Sequence, residues 1–156
     1  MMGYIMELRK FVGRQRLQMT GAGVFPVRDG QVLLQRRKDN GLWADHGGAV
    51  ELSEKVEDAA RREMLEETGL IPGKMTFLGV YSGTEMDYTY PNGDQVAIIG
   101  IYYTCEDFSG TVKLQAEEVT ELKWFPLDGL PAADEISPVS RQPLYDAAEK
   151  YLNLKK

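Results

Sequence analysis

The sequence predicts an α/β protein with a mixed central β-sheet between helices. Three observations carry that reading. Strand-like segments alternate with one helix-like segment in the middle of the chain and another near its end. The run 96–103 is nearly all apolar and reads as a central strand buried on both faces. Asp29-Gly30 and Asn92-Gly93 each lie between strand-like segments, where such dipeptides close tight hairpins.

With 156 residues, 43% of them hydrophobic, the chain is expected to form one domain, residues 1–156, with its own core. A formal net charge of −6 argues against a nucleic-acid polymer as partner, because that needs a basic surface. It leaves a small-molecule nucleotide open, since metal ions and a few arginines can hold its phosphates locally. No apolar run is as long as a membrane span and the start carries no signal-peptide pattern, so no membrane partner is expected. Cys105 is the only cysteine. An internal disulfide is therefore excluded, which fits a reducing, cytoplasmic setting. In its apolar run Cys105 reads as core rather than nucleophile.

Residues 4–11 read as a short helix with Ile5, Leu8 and Phe11 or Val12 on one side, ended by Gly13. Residues 20–27, with Val24, Phe25 and Val27 among small residues, read as a strand, and Asp29-Gly30 turns the chain into a second strand, 31–37. Arg36 and Arg37 end that strand. A guanidinium fork matches phosphate oxygens, so both are candidates for substrate binding. Alternation points them to opposite faces, so at most one faces a site; the other reading is a solvated strand end paired with Asp39. A polar loop, 38–42, leads to Trp43 and to Gly47-Gly48, where backbone can approach a ligand closely. Residues 49–51 read as a short strand. Ser53 reads as the N-cap of a helix that ends at Thr68-Gly69.

That helix carries the densest chemistry. Glu63, Glu66 and Glu67 are spaced by three and four residues and share one face. At about 100° per residue, Glu63 and Glu67 fall within roughly 20° of Val56, with Ala59 and Ala60 flanking them. The acids thus interrupt the stripe that faces the protein. Carboxylates there are costly unless a cation sits among them, and oxygen-only ligation suits Mg²⁺ or Mn²⁺. A merely solvated acidic helix would hold its acids opposite the apolar residues.

Residues 74–81, 85–90 and 95–104 read as three strands, the last two joined by Pro91-Asn92-Gly93-Asp94. Tyr81, Tyr88 and Tyr90 read as packing residues with wet hydroxyls, the alternative being a stack on a base. Residues 111–114 read as a short strand, followed by an acidic turn with Glu117 and Glu118 and a strand through Phe125. Residues 136–142 read as irregular. Pro143 is placed at the first position of a final helix through Leu152, with Leu144, Ala147, Ala148 and Tyr151 as its buried stripe; Lys155-Lys156 trail off.

The stretch 48–70 resembles the Nudix box: Gly48, five residues, Glu54, seven residues, Arg62-Glu63, an apolar residue (Met64), any residue, Glu66-Glu67, any residue, Gly69 and an apolar residue (Leu70). The segment 117–131, EEVTELKWFPLDGLP, is also similar to the family, and the resemblance extends over about 20–131. It implies the α/β/α Nudix sandwich and metal-dependent hydrolysis of a diphosphate bond in a nucleoside diphosphate derivative. ADP-ribose and related sugar nucleotides, nucleoside triphosphates and dinucleoside polyphosphates are the substrate classes. By the same resemblance, Glu63, Glu66, Glu67 and the Gly48 carbonyl hold Mg²⁺ or Mn²⁺. Arg62 positions a box glutamate, Glu54 serves near the metal, and Glu118, with Glu117 as its understudy, adds a catalytic carboxylate. Gly47 and Gly48 let backbone meet substrate. Family members often form homodimers.

One departure stands out: where the family has Leu-Pro-Gly-Gly after the tryptophan, this chain has Asp45-His46-Gly47-Gly48. His46 reads as structural or substrate-tuning rather than catalytic. Two other function classes share the fold. A nucleotide-sensing Nudix domain typically shows a damaged box, and this box is whole. A prenyl diphosphate isomerase is expected to need a reactive cysteine near the site, which the place of Cys105 does not suggest.

Overall fold

Gly13, at φ 64°, stops helix α1 (Tyr4–Val12), and the chain enters the long strand β1 (Leu17–Arg28). Asp29 and Gly30 both take positive φ, 54° and 73°, as a tight hairpin turn requires, and fold β1 back as β2 (Gln31–Arg37). The computed structural model describes residues 3–115 and 117–154, so the expected Lys155-Lys156 tail lies outside the described residues.

β1 and β2 pair only at Val27–Val32 and Arg28–Gln31 before they part. Two short strands fill the gap: β3 (Trp43–Ala44) pairs with β2, and β4 (His46–Ala49) runs antiparallel to β1. This wedge carries Gly47 and Gly48 into the fold. Helix α2 (Val56–Thr68) follows and ends at Gly69, which donates its N–H to the Leu65 carbonyl and turns the chain out of the helix at a left-handed φ of 79°. Next come β5 (Ile71–Pro72), β6 (Thr76–Tyr81), β7 (Asp87–Thr89), β8 (Gln95–Cys105), β9 (Phe108–Ser109), β10 (Val119–Pro126) and helix α3 (Pro138–Leu154).

The main sheet has the order β10-β2-β1-β8-β6, with β3, β4 and β7 attached to β2, β1 and β8. β1 and β8 are parallel and the other pairs antiparallel, so the sheet is mixed as expected. Alternation along β1 feeds two cores. Ala22 and Val24 pack with Ala59, Ala60 and Met64 of α2, whereas Phe25 and Val27 pack with Leu144, Ala147 and Ala148 of α3. Among the described residues no helix is long and apolar enough to cross a membrane.

Several local expectations are corrected. β4 lies at His46–Ala49, not 49–51, because the glycine pair lets it lie flat on β1 while Glu51 turns to accept the Tyr4 N–H at 2.9 Å. Ser53 sits at φ 64° and caps nothing; Lys55 precedes the helix without a side-chain bond. Residues 84–86 form a 3₁₀ turn before the short β7. Phe108-Ser109 pairs with β5, and 111–114 forms no strand; Lys113 N–H donates to Thr68 O at 2.7 Å at the end of α2. β8 is central, but only its α3 side is fully buried; Ala97, Ile99, Ile101 and Tyr103 are half-buried because α2 packs chiefly over β1 and β4.

Helix α3 begins at Pro138, so Pro143 lies inside it. Proline 143 has no N–H for the carbonyl four residues back, Val139. That carbonyl instead accepts the Tyr102 hydroxyl at 3.2 Å, so tertiary structure repairs the local defect.

Candidate active site

The alanines and Met64 of α2 bring the helix close to the sheet, and its next residues deliver Glu63 and Glu67 beside β4. The approach is tight: a Cβ on Gly48 would lie 2.5 Å from Glu63 Oε1. Glu67 is buried. Its Oε2 accepts from Gln35 Nε2 at 2.8 Å and from the Gly47 N–H at 2.9 Å. Gln35 Nε2 also donates to the Asp45 carbonyl at 2.7 Å, which ties β2, β4 and α2 together at one point. His46 Nδ1 lies 3.8 Å from the same Glu67 oxygen, while its Nε2 donates to Leu33 O at 2.9 Å.

Burial pushes the Glu67 carboxyl well above the usual range, and nearby Glu63 and Asp45 push it further. Glu63 is raised by burial as well, against the pull of Arg62. Two carboxyls shifted this way in one cleft mark a place where charge is meant to be met by a ligand. Arg62 braces them. It holds Glu54 with a fork of 2.9 and 3.0 Å and reaches Glu63 Oε1 at 2.9 Å. The Arg62 fork holds the Glu54 carboxyl below the usual range. Glu54 is therefore committed to the arginine and to the Glu51 N–H at 3.0 Å.

These groups open on a cleft of about 790 Å³. Gln35 and Arg37 form one wall, and Ile5, Met6 and Arg9 of α1 form another; Tyr90 and the pair Glu117 and Glu118 also line it. Seven carboxylate residues line it against three cationic ones, so an anionic substrate needs added cations to approach.

A model of the NUDIX domain matches residues 17–147. The chain belongs to the Nudix family. It is 39% identical over 107 residues to an ADP-ribose pyrophosphatase of Methanocaldococcus jannaschii, an alignment covering 67% of this chain and 59% of that protein. It is 35% identical over 107 residues to a MutT-like protein of Streptomyces ambofaciens, covering 69% of this chain and 62% of that one. The chain thus spans about three-fifths of the length of these two relatives. The crystal structure of a MutT NUDIX hydrolase from Burkholderia pseudomallei matches with a TM-score of 0.70 at 32% identity, covering 83% of this chain and 97% of that one.

Within this Nudix fold the expected site residues separate. Glu63, Glu67, Arg37, Glu118 and Gly47-Gly48 line the cleft. Arg36 does not; it is exposed, donates to Gly41 O at 3.0 Å and lies over the Trp43 ring, because strand alternation turns it to the other face. Arg37 faces the cleft but is held by Asp39 at 2.7 and 2.9 Å. Glu66 is also off the cleft, with a side chain 58% exposed and 3.6 Å from Arg62. The expected Gly48 carbonyl is corrected by register. The Val50 N–H bond to Thr20 O makes Ala22–Gly48 the next bonded pair, which turns the Gly48 carbonyl to β1. The Gly47 carbonyl points off the opposite edge, the edge from which the Gly47 N–H meets Glu67.

Among the described residues no three His, Cys, Asp or Glu side chains are placed to hold one ion. The donor set nevertheless fits a hard divalent ion. Two carboxylates with raised affinity for positive charge, beside free backbone oxygen, suit Mg²⁺, which keeps waters and takes phosphate oxygens for the rest of its shell. Sequence reasoning missed Gln35, Asp45 and the α1 wall. Gln35 stands between the apolar run Val32-Leu33-Leu34 and the polar end Arg36-Arg37, so nothing local set it apart, and nothing local signalled the part α1 plays. Cys105 is buried, its thiol pushed up by burial and donating to Asp107 O at 3.2 Å, and it does not line the cleft, which counts against the isomerase alternative.

Proposed function

We propose that this chain hydrolyses a diphosphate bond in a nucleoside diphosphate joined to a second group, with ADP-ribose and related sugar nucleotides first and nucleoside triphosphates second. The observation that carries this is the pairing of half-buried Glu63 with buried Glu67 in an acidic cleft large enough for a nucleotide. The 39% identical ADP-ribose pyrophosphatase supports the sugar-nucleotide order.

Glu63, Glu67 and the Gly47 carbonyl would hold Mg²⁺ or Mn²⁺, which supplies charge neutralisation and polarisation of the diphosphate when bound. Arg62 keeps Glu63 in place, and Gln35 with the Gly47 N–H keeps Glu67 in place. Arg37 exchanges Asp39 for a phosphate oxygen, a bidentate match its fork allows. One of the cleft glutamates, Glu118 or Glu117 on the 117–118 turn or Glu63 on the helix, takes the proton of the attacking water.

The test is a panel of nucleotide substrates with Mg²⁺ and with Mn²⁺, products separated by chromatography. Glu67→Gln keeps the side chain's size and an acceptor for Gln35 while removing its charge. Turnover is expected to fall at least ~100-fold with little change in melting temperature. A variant as active as the natural protein would sink the assignment of this helix.

A further inference from the structure

Asp45 is the residue that the reading above leaves without a task. Its Oδ1 accepts the Ser140 hydroxyl from α3, and the Asp45 N–H points to that same Ser140 oxygen at 3.4 Å. Its Oδ2 fills the space that side chains on Gly23 and Gly47 would need, and no described residue donates a hydrogen bond to it. A carboxylate with one neutral hydroxyl partner has acceptor capacity to spare, and half-buried Asp45 leaves its second oxygen accessible from the cavity side.

This carboxylate borders a second, smaller cavity of about 80 Å³. The cavity shares Met19, Arg37, Gly47, Gly48 and Tyr90 with the main cleft, so it opens off the same site. Its floor is bare sheet at Gly21 and Gly100, and Ile98 and the ring of Tyr102 add apolar wall. A flat, mostly apolar slot too small for a whole nucleoside, with one free carboxylate oxygen, matches the edge of an aminated heterocycle. Carboxylates accept from exocyclic base amines in this way.

We propose that the side cavity reads the amino-bearing edge of the substrate's nucleobase, with Asp45 Oδ2 as the acceptor and Ser140 as the residue that aims it. This rests on the diphosphate-hydrolase reading and names its specificity. Asp45 takes no part in the proposed chemistry; it is a specificity-determining residue. The hydrogen bond from the base supplies the partner that Oδ2 lacks, and a keto group in the same place presents a second acceptor instead.

The experiment compares kcat/KM of the full chain for ADP-ribose and its inosine counterpart, in which a keto group replaces the amine. The amino substrate is expected to be preferred at least fivefold. Asp45→Asn presents an amide donor where Oδ2 stood, and is expected to shrink that preference at least fivefold, chiefly through KM. A natural-protein preference under fivefold overturns the inference while leaving the hydrolase reading intact. So does a preference that Asp45→Asn, folded by its melting curve, leaves untouched. Ser140→Ala, which removes only the aiming hydroxyl, is expected to lower the preference in the same direction. If neither compound is cleaved, equilibrium binding to the Glu67→Gln protein decides. Fivefold tighter binding of the amino compound upholds the cavity's role without hydrolysis, and equal or absent binding overturns it.

Discussion

His46 is fully buried and has to remain neutral in the folded protein. Its Nε2 proton is spent on Leu33 O, and its Nδ1 finds no hydrogen-bond partner among the described residues. Burial pushes its pKa down from 6.5 to about 4. Between those values the unfolded chain takes up a proton that the native chain refuses, so this residue makes stability rise with pH across that window. Stability is lost as pH falls from 6.5 towards 4, by ~3 kcal/mol at the lower end, and above 6.5 the residue contributes no slope. His46→Phe is therefore expected to show a smaller drop in melting temperature between pH 7 and pH 4 than the natural protein. Parallel drops would reject this account. The sequence reading of His46 as structural agrees with this placement, whereas Arg36 and Arg37 could be told apart only once the strand had a defined face.

At the scale of elements, α3 is the instructive case. A proline at the first helical position is a sound local rule, and two prolines satisfy it, Pro138 and Pro143. The helix starts at the earlier one, where Val139 packs against the core and Tyr102 serves the carbonyl that Pro143 leaves free. Tyr102→Phe is expected to cost ~1–2 kcal/mol, since Val139 O is then left unmet. In a Pro143→Ala background the restored N–H can serve that carbonyl, so the cost should shrink. Urea unfolding of the four proteins measures the coupling, and strictly additive effects would refute it. Ser53 shows the same limit from the other side: a good capping residue is overruled when the chain entering α2 must first present Glu54 to Arg62.

For the whole molecule, the cleft is an assembly of distant parts. Helix α1 has no buried residue of its own, yet it walls the cleft. Arg9 fastens it, donating to Gly13 O at 3.0 Å, Gln15 O at 2.6 Å and Gln95 O at 2.6 Å, the last on β8. Arg9→Ala is expected to speed amide hydrogen exchange across α1 and to raise KM about tenfold, with kcat altered less than twofold. Unchanged exchange in α1 would show that other contacts hold the helix. The acidic lining, seven carboxylates against three cations, also emerges only at this scale, because its members come from six separate stretches between Arg9 and Glu118.

By itself the sequence determined the α2 carboxylates and their spacing, the Asp29-Gly30 and Asn92-Gly93 turns, the Gly69 stop and the mixed α/β layering. Each of these depends on geometry within a few residues, where helix period, strand alternation and turn chemistry act directly. Tertiary structure alone decided which oxygen of the glycine pair faces Glu67 and which arginine faces the cleft. It also set Gln35 on Glu67, 32 residues away, and Ser140 on Asp45, 95 residues away. Those contacts rest on strand register and on the packing of helices against opposite faces, and no local pattern encodes a distance between residues that meet only after the chain has closed.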